Sequence, residues 1–183
     1  SNLVMLIINS NIKHQLVGSE YNDRRESCEK AAAIMGVKLL RNADLKLLEQ
    51  YKDKMDDVTY RRALHVITED DRVLEASSAL ESGDLKKLAA LMYASHISEK
   101  ENFEITVKET DAIVDIVKDT LGLEYAAVRQ TGGGFGGCVV AVVEPDKVER
   151  VKQAIAEKYQ KIAGIGATIF ETKACDGASF SKL

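Results

Sequence analysis

Thr131-Gly-Gly-Gly-Phe-Gly-Gly-Cys138 is the stretch on which the fold of this chain turns, with Glu124–Gln130 ahead of it and Val139–Val143 behind. Val128, Val139, Val140, Val142 and Val143 are β-branched, so both flanks read as strands. Five glycines in six positions exceed what a tight hairpin needs, which is one or two residues at positive φ. The missing Cβ atoms let another backbone or a ligand come close, and bare N–H groups in such a loop can face an anion, typically a phosphate. A flexible hairpin tip is the competing reading. Phe135 speaks against it, because a solvated linker has no use for a buried aromatic anchor. The spacing is not the dinucleotide fingerprint, since a strand rather than a helix follows. Nor is it a Walker loop, since no Gly-Lys-Ser/Thr ends it.

Outward from the loop, 183 residues are enough to bury roughly 70% of the unfolded surface, and one substantial domain over residues 1–183 is expected. Hydrophobic residues at 45%, charged residues at 30% and a single proline indicate a compact, helix-rich protein. The net charge of −4 excludes the clustered basic surface of a nucleic-acid binder, and the lysines are interleaved with acids, as in Asp84 with Lys86 and Lys87. Cys28, Cys138 and Cys175 are odd in number, widely spaced and without a C-x-x-C pair. That argues for free thiols in a reducing cytoplasm, without a disulfide framework or a zinc site. The apolar run Leu3–Ile8 is too short to span a membrane and lacks the basic start of a signal peptide. A chain that opens almost directly on a buried-type strand reads as a piece of a longer protein.

In chain order, Leu3–Asn9 is a central strand bounded by Asn9-Ser10-Asn11. Helices are expected over Tyr21–Met35 with Gly36 as stop, Asp44–Tyr51, Val58–Glu81, and Leu85–Glu99 capped by Asp84. Thr106-Val-Lys-Glu109 matches a capping box ahead of Ile113, Ile116, Val117 and Leu121. Pro145 marks a first helical turn before the apolar face of Val148, Val151, Ile155 and Tyr159, and Ala167–Lys173 is a last strand. Four strands with these helices give an α+β layout, a ferredoxin-like antiparallel sheet covered by helices with a helical insertion. Arg24 and Arg25 read as ordinary helix-surface charge. His14, His65 and His96 lack ligand spacing and read as hydrogen-bonded structural histidines, so no metal site is expected. Ser95-His96 is poor evidence for a nucleophile pair, since adjacent helical residues point apart.

Beyond this, Gln130-Thr-Gly-Gly-Gly-Phe-Gly-Gly-Cys138 resembles the third motif of the galactokinases, in the GHMP kinase superfamily, with Gln130 where that family usually has Met. Asn9-Ser10-Asn11, Ser19-Glu20-Tyr21 with Arg24-Arg25 and Cys28-Glu29, Ala79-Leu80 with Gly83-Asp84, Ser95-His96, Phe103-Glu-Ile-Thr106 and Asp176-Gly177-Ala178 also resemble galactokinase segments, in the same order. The resemblance implies a GHMP-kinase C-terminal domain whose N-terminal partner, with the sugar motif, the Gly-Leu-Ser-Ser-Ser phosphate loop and the catalytic Asp, lies upstream of Leu3. It implies transfer of phosphate from ATP, with Mg2+, to the anomeric hydroxyl of galactose. It makes Tyr21 the expected sugar contact, and Gly132, Gly133, Gly134, Gly136 and Gly137 the part of the cleft that abuts the phosphate loop. Whether those glycines touch ATP or only admit the partner domain stays open. This chain alone is expected to hold no cofactor and to be inactive. Another GHMP kinase, acting on N-acetylgalactosamine or mevalonate, is the alternative enzyme. A catalytically dead galactose–ATP sensor that binds a regulatory protein is the alternative of a different class.

Overall fold

A computed structural model describes residues 3–12 and 18–175 of the chain. Its sheet has four strands, β1 (Val4–Asn9), β2 (Ala127–Thr131), β3 (Cys138–Val143) and β4 (Thr168–Thr172). Their spatial order is β2-β3-β1-β4, and every pairing is antiparallel. This is the ferredoxin-like arrangement expected from the sequence, with a long helical insertion between β1 and β2.

The period of two in β1 divides the sheet into two faces. Val4, Leu6 and Ile8 point to a core shared with Val128, Val139, Ala141 and Val143. Helices α5 (Lys108–Leu121) and α6 (Val148–Ala163) close over that face with Ile113, Val117, Val151, Ile155 and the fully buried Tyr159. The Tyr159 hydroxyl donates to the Ser10 carbonyl at 2.8 Å, so the one polar atom of that side chain is satisfied.

The insertion begins with α1 (Gly18–Met35), α2 (Leu45–Gln50) and α3 (Asp57–Ser82), which share a second core of Ala31, Ala32, Met35, Leu40, Leu48, Ala63 and Ile67. It continues with α4 (Leu85–Ser98). Ala79 of α3 with Leu88 and Ala89 of α4 packs on Ala127 and Val142, the opposite face of the sheet at its β2–β3 side. Toward β1 and β4 that face is more open, and Phe170 is 56% exposed.

Punctuation follows the sequence closely. Gly36 stands at φ +70 after α1, and Gly83 at φ +71 ends α3. Asp84 accepts from the Lys87 N–H and starts α4. Pro145 opens a 3-10 turn that leads into α6. Helix α1 begins at Gly18, three residues before the expected Tyr21, and two further elements differ from expectation. Strand β2 begins at Ala127 rather than Glu124, because Gly122–Tyr125 forms a turn closed by Tyr125 N–H to Gly122 C=O. The cap of α5 sits one residue later than the Thr106–Glu109 box. Thr110 accepts from the Val107 N–H at 3.2 Å and donates to the Val107 carbonyl at 3.0 Å.

Candidate functional site

The glycine loop leaves β2 at Thr131 and re-enters β3 at Cys138, which are paired across the hairpin. Its middle folds back on a turn at Phe103–Ile105. The Phe135 N–H donates to the Ile105 carbonyl at 2.6 Å, and the Gln130 amide donates to the same oxygen at 3.2 Å. A Cβ on Gly134 would stand 2.6 Å from Ile105 Cβ and 2.7 Å from Ile105 O, and one on Gly136 would stand 3.0 Å from the carbonyl of Ile12. The close approach that the glycines permit is thus first of all to this chain's own backbone. Gly132 and Gly133 are different: both are exposed, and nothing lies within 4 Å of a Cβ built on either. Gly137 holds the strand root, its carbonyl accepting from the N–H and the hydroxyl of Ser10 at 2.9 and 2.7 Å.

Phe135 is half-buried and carries a cation on its face. The Arg24 guanidinium lies 5.1 Å from the ring centroid, donates from Nε to the Phe103 carbonyl at 3.1 Å and from Nη2 to the Glu104 carbonyl at 2.5 Å. Glu104 occupies the left-handed region at φ +57, at the end of a π-helical turn over Glu99–Phe103. Such turns and such φ values need support from their surroundings. Arg61 and Arg62 of α3 supply more of it. Arg61 donates to the Glu101 carbonyl at 2.8 Å and lies 3.3 Å from the Glu104 carboxylate, which Arg62 approaches to 3.6 Å. Arg24 is therefore not the surface charge expected from the sequence. Arg25 is, paired with Glu29 one turn along α1.

Behind the loop lies a buried polar network. Arg129 donates to Glu69 at 2.7 Å and to Glu99, and Ser95 donates to Glu69 at 2.5 Å. Burial opposes the charge on Glu69, but hydrogen bonds from Ser95 and Arg72 and the charge of Arg129 outweigh it and lower its pKa. At Glu99 burial wins and the pKa is raised. His96 accepts the Gln130 N–H on Nδ1 at 3.3 Å, which leaves Nε2 facing Asp111 Oδ1 at 3.2 Å. His65 hydrogen-bonds Ser98 at 3.0 Å and stacks on Phe103 at 4.6 Å, and burial lowers its pKa to about 4. His65 and His96 are hydrogen-bonded structural histidines, as expected, while His14 lies outside the described residues. Ser95 turns to Glu69 rather than to His96. Gln130, at the position where the resemblance leads one to expect Met, is fully buried and satisfied by Thr110 and Ile105. Among the described residues, no group of three or more His, Cys, Asp or Glu side chains could hold a metal ion.

Tyr21 sits on the first turns of α1, one helical turn before Arg24, and is 65% exposed. It does not pack against the sheet. Its phenol is free to meet a ligand or another domain. Among the described residues, no helix is long and apolar enough to cross a membrane.

Comparison with known proteins agrees with this fold. Residues 76–161 match the GHMP kinases C-terminal family. Among solved structures, a galactokinase of Lactococcus lactis complexed with galactose superposes with a TM-score of 0.86 at 28% identity, over 93% of this chain and 45% of that one. This chain thus spans less than half the length of that relative. A mevalonate diphosphate decarboxylase of Staphylococcus aureus gives a TM-score of 0.46 at 15% identity, over 93% of this chain and 43% of its own, and carries no argument. The chain resembles the C-terminal domain of the GHMP kinases in fold, and the family match itself lies in residues 76–161.

Proposed function

We propose that this chain is the C-terminal portion of a galactokinase, and that the complete protein transfers the γ-phosphoryl group of MgATP to the anomeric hydroxyl of galactose. The observation that carries the reading is the likeness, across 93% of the chain, to a galactokinase complexed with galactose. The ordered motifs of the sequence support it.

Phosphoryl transfer asks a protein mostly for positioning and for stabilisation of charge on the transferred oxygens. In this reading the N-terminal domain brings the phosphate loop, the catalytic Asp and the Mg2+ site, and bound MgATP supplies the phosphoryl group. The described residues fit a supporting role. The backbone at Gly132 and Gly133 is open, so the partner domain's phosphate loop, or a phosphate on it, can approach. Tyr21 offers a phenol from the adjoining helix to a sugar hydroxyl. The Ile105 carbonyl, which accepts the Phe135 N–H, and Ser10, which donates to the Gly137 carbonyl, hold the inner part of the loop against this chain. Pre-ordered donors lose less entropy when the two domains close on substrate.

The test is ADP release with galactose by the gene's complete product, with this chain alone as control. Galactose-dependent release by the complete protein and none by the chain alone is expected. A folded complete protein that ignores galactose but accepts N-acetylgalactosamine or mevalonate would replace galactokinase with another GHMP kinase. One that binds galactose and ATP without turnover would replace it with a sensor.

A further inference from the structure

Arg24 bridges two parts of the site that are far apart in sequence. It lies on the helix that presents Tyr21, and its Nη1 donates to the Glu20 carbonyl at 3.3 Å, within the same turn as that tyrosine. From there its fork reaches the carbonyls of Phe103 and Glu104, and its Cζ lies over the ring of Phe135, 5.1 Å from the centroid. The next carbonyl in the same turn, that of Ile105, accepts the Phe135 N–H. A planar guanidinium can grip two carbonyls and stack on a ring at once, whereas an ammonium is a point donor on a flexible stem.

We propose that Arg24 is a positioning residue, locking the Tyr21 end of α1 and the glycine loop into one rigid unit through the Phe103–Ile105 turn. The sugar-facing and phosphate-facing parts of the site then move together when the domains close. The kinetic consequence rests on the galactokinase reading; the mechanical one does not. Arg62 anchors the same helix from α3, donating to the Asp23 carbonyl and to the Ser27 hydroxyl at 3.2 and 2.8 Å, so α1 keeps its place on the core without Arg24. What Arg24 adds is the link from that helix to the loop.

Arg24→Lys in the complete protein keeps the charge and loses the fork. The first readout is amide hydrogen exchange. The Phe135 amide should exchange at least tenfold faster in the variant, while amides of the β1–β3 ladder keep wild-type rates. Phe135→Leu, which removes the ring but none of the carbonyl contacts of Arg24, should speed exchange at position 135 by a smaller factor. The second readout is kinetic. Arg24→Lys should raise the galactose KM several-fold and lower kcat several-fold, with a melting temperature within a few degrees of wild type. A purely structural role would lower the melting temperature and leave KM and kcat of the folded enzyme alone. Wild-type exchange at Phe135 in Arg24→Lys overturns the inference, whatever the substrate proves to be. Accelerated exchange in a protein inactive on galactose would keep the lock and discard the galactokinase reading.

Discussion

Around Gly134 a Cβ would stand 2.6 Å from Ile105; around Gly133, one residue earlier, it would meet nothing within 4 Å. The inner half of the loop, Gly134–Gly136, is packed on this chain's own turns at Ile105 and Ile12, and the outer half, Gly132–Gly133, is open. One run of glycines therefore does two jobs. The inner ones let the loop fold onto its support, and the outer ones leave bare backbone exposed. A glycine-rich loop need not be flexible: where its carbonyls and N–H groups are matched and its crowded positions lack only Cβ, it is as well defined as a strand.

Substitutions can break this comparison. The largest effect is expected at Gly134→Ala. The new Cβ collides with backbone as well as side chain, at φ +88 where an L residue is strained, so stability should fall by about 3–4 kcal/mol. Denaturant unfolding checks it, and a loss under about 1 kcal/mol would show that the loop can simply lift off Ile105.

The support beneath the inner half has its own signature in acid. His65 stacks on Phe103, at the start of the turn that receives Gly134, and burial holds its pKa near 4 against 6.5 when unfolded. Between those values the unfolded chain takes up a proton that the folded one refuses. Stability should therefore be unaffected by this group above about pH 6.5 and fall toward pH 4, by about 3 kcal/mol in all. Glu99, with its raised pKa, acts in the opposite direction over its own range, so the share of His65 is read as the difference between wild type and His65→Gln. Equal acid limbs for the two proteins would remove His65 from the account.

The outer half is sharpened by smaller effects. Tyr21→Phe in the complete enzyme should cost galactose use one hydrogen bond, about 0.5–1.5 kcal/mol in kcat/KM, with stability unchanged because the phenol is exposed. Unaltered kcat/KM would retire Tyr21 as a sugar contact. Gly133→Ala should change stability least, within about 0.5 kcal/mol, since its φ is ordinary and its surroundings are empty.

The same division marks what the sequence makes legible. The glycine run, the β-branched valines of β3, the stop at Gly36 and the Gly83–Asp84 junction are local signals, and the fold follows from them. Tyr21, and the expected place of the glycines beside a phosphate loop, stand out only through resemblance to galactokinases. The support is another matter. Arg129 meets Glu69 across 60 residues and Glu99 across 30, and Arg24 meets Phe103 across 79. No periodicity within a helix encodes such pairs, so Arg24 reads like Arg25 until the turn at Glu104 is seen beneath it. The left-handed residue there is a glutamate, which gives no glycine to announce the turn. Gln130, a mild oddity in the motif, gains its reason only from the Ile105 carbonyl and the Thr110 hydroxyl it meets.

The most direct test pairs the reading of function with the division of the loop: galactose-dependent ADP release by the complete protein and by its Gly133→Ala variant. An active wild type, and a variant equally stable but at least tenfold slower, is the expected result. A wild type inactive on galactose would contradict the galactokinase assignment, and a fully active variant would contradict a functional role for the open half of the loop.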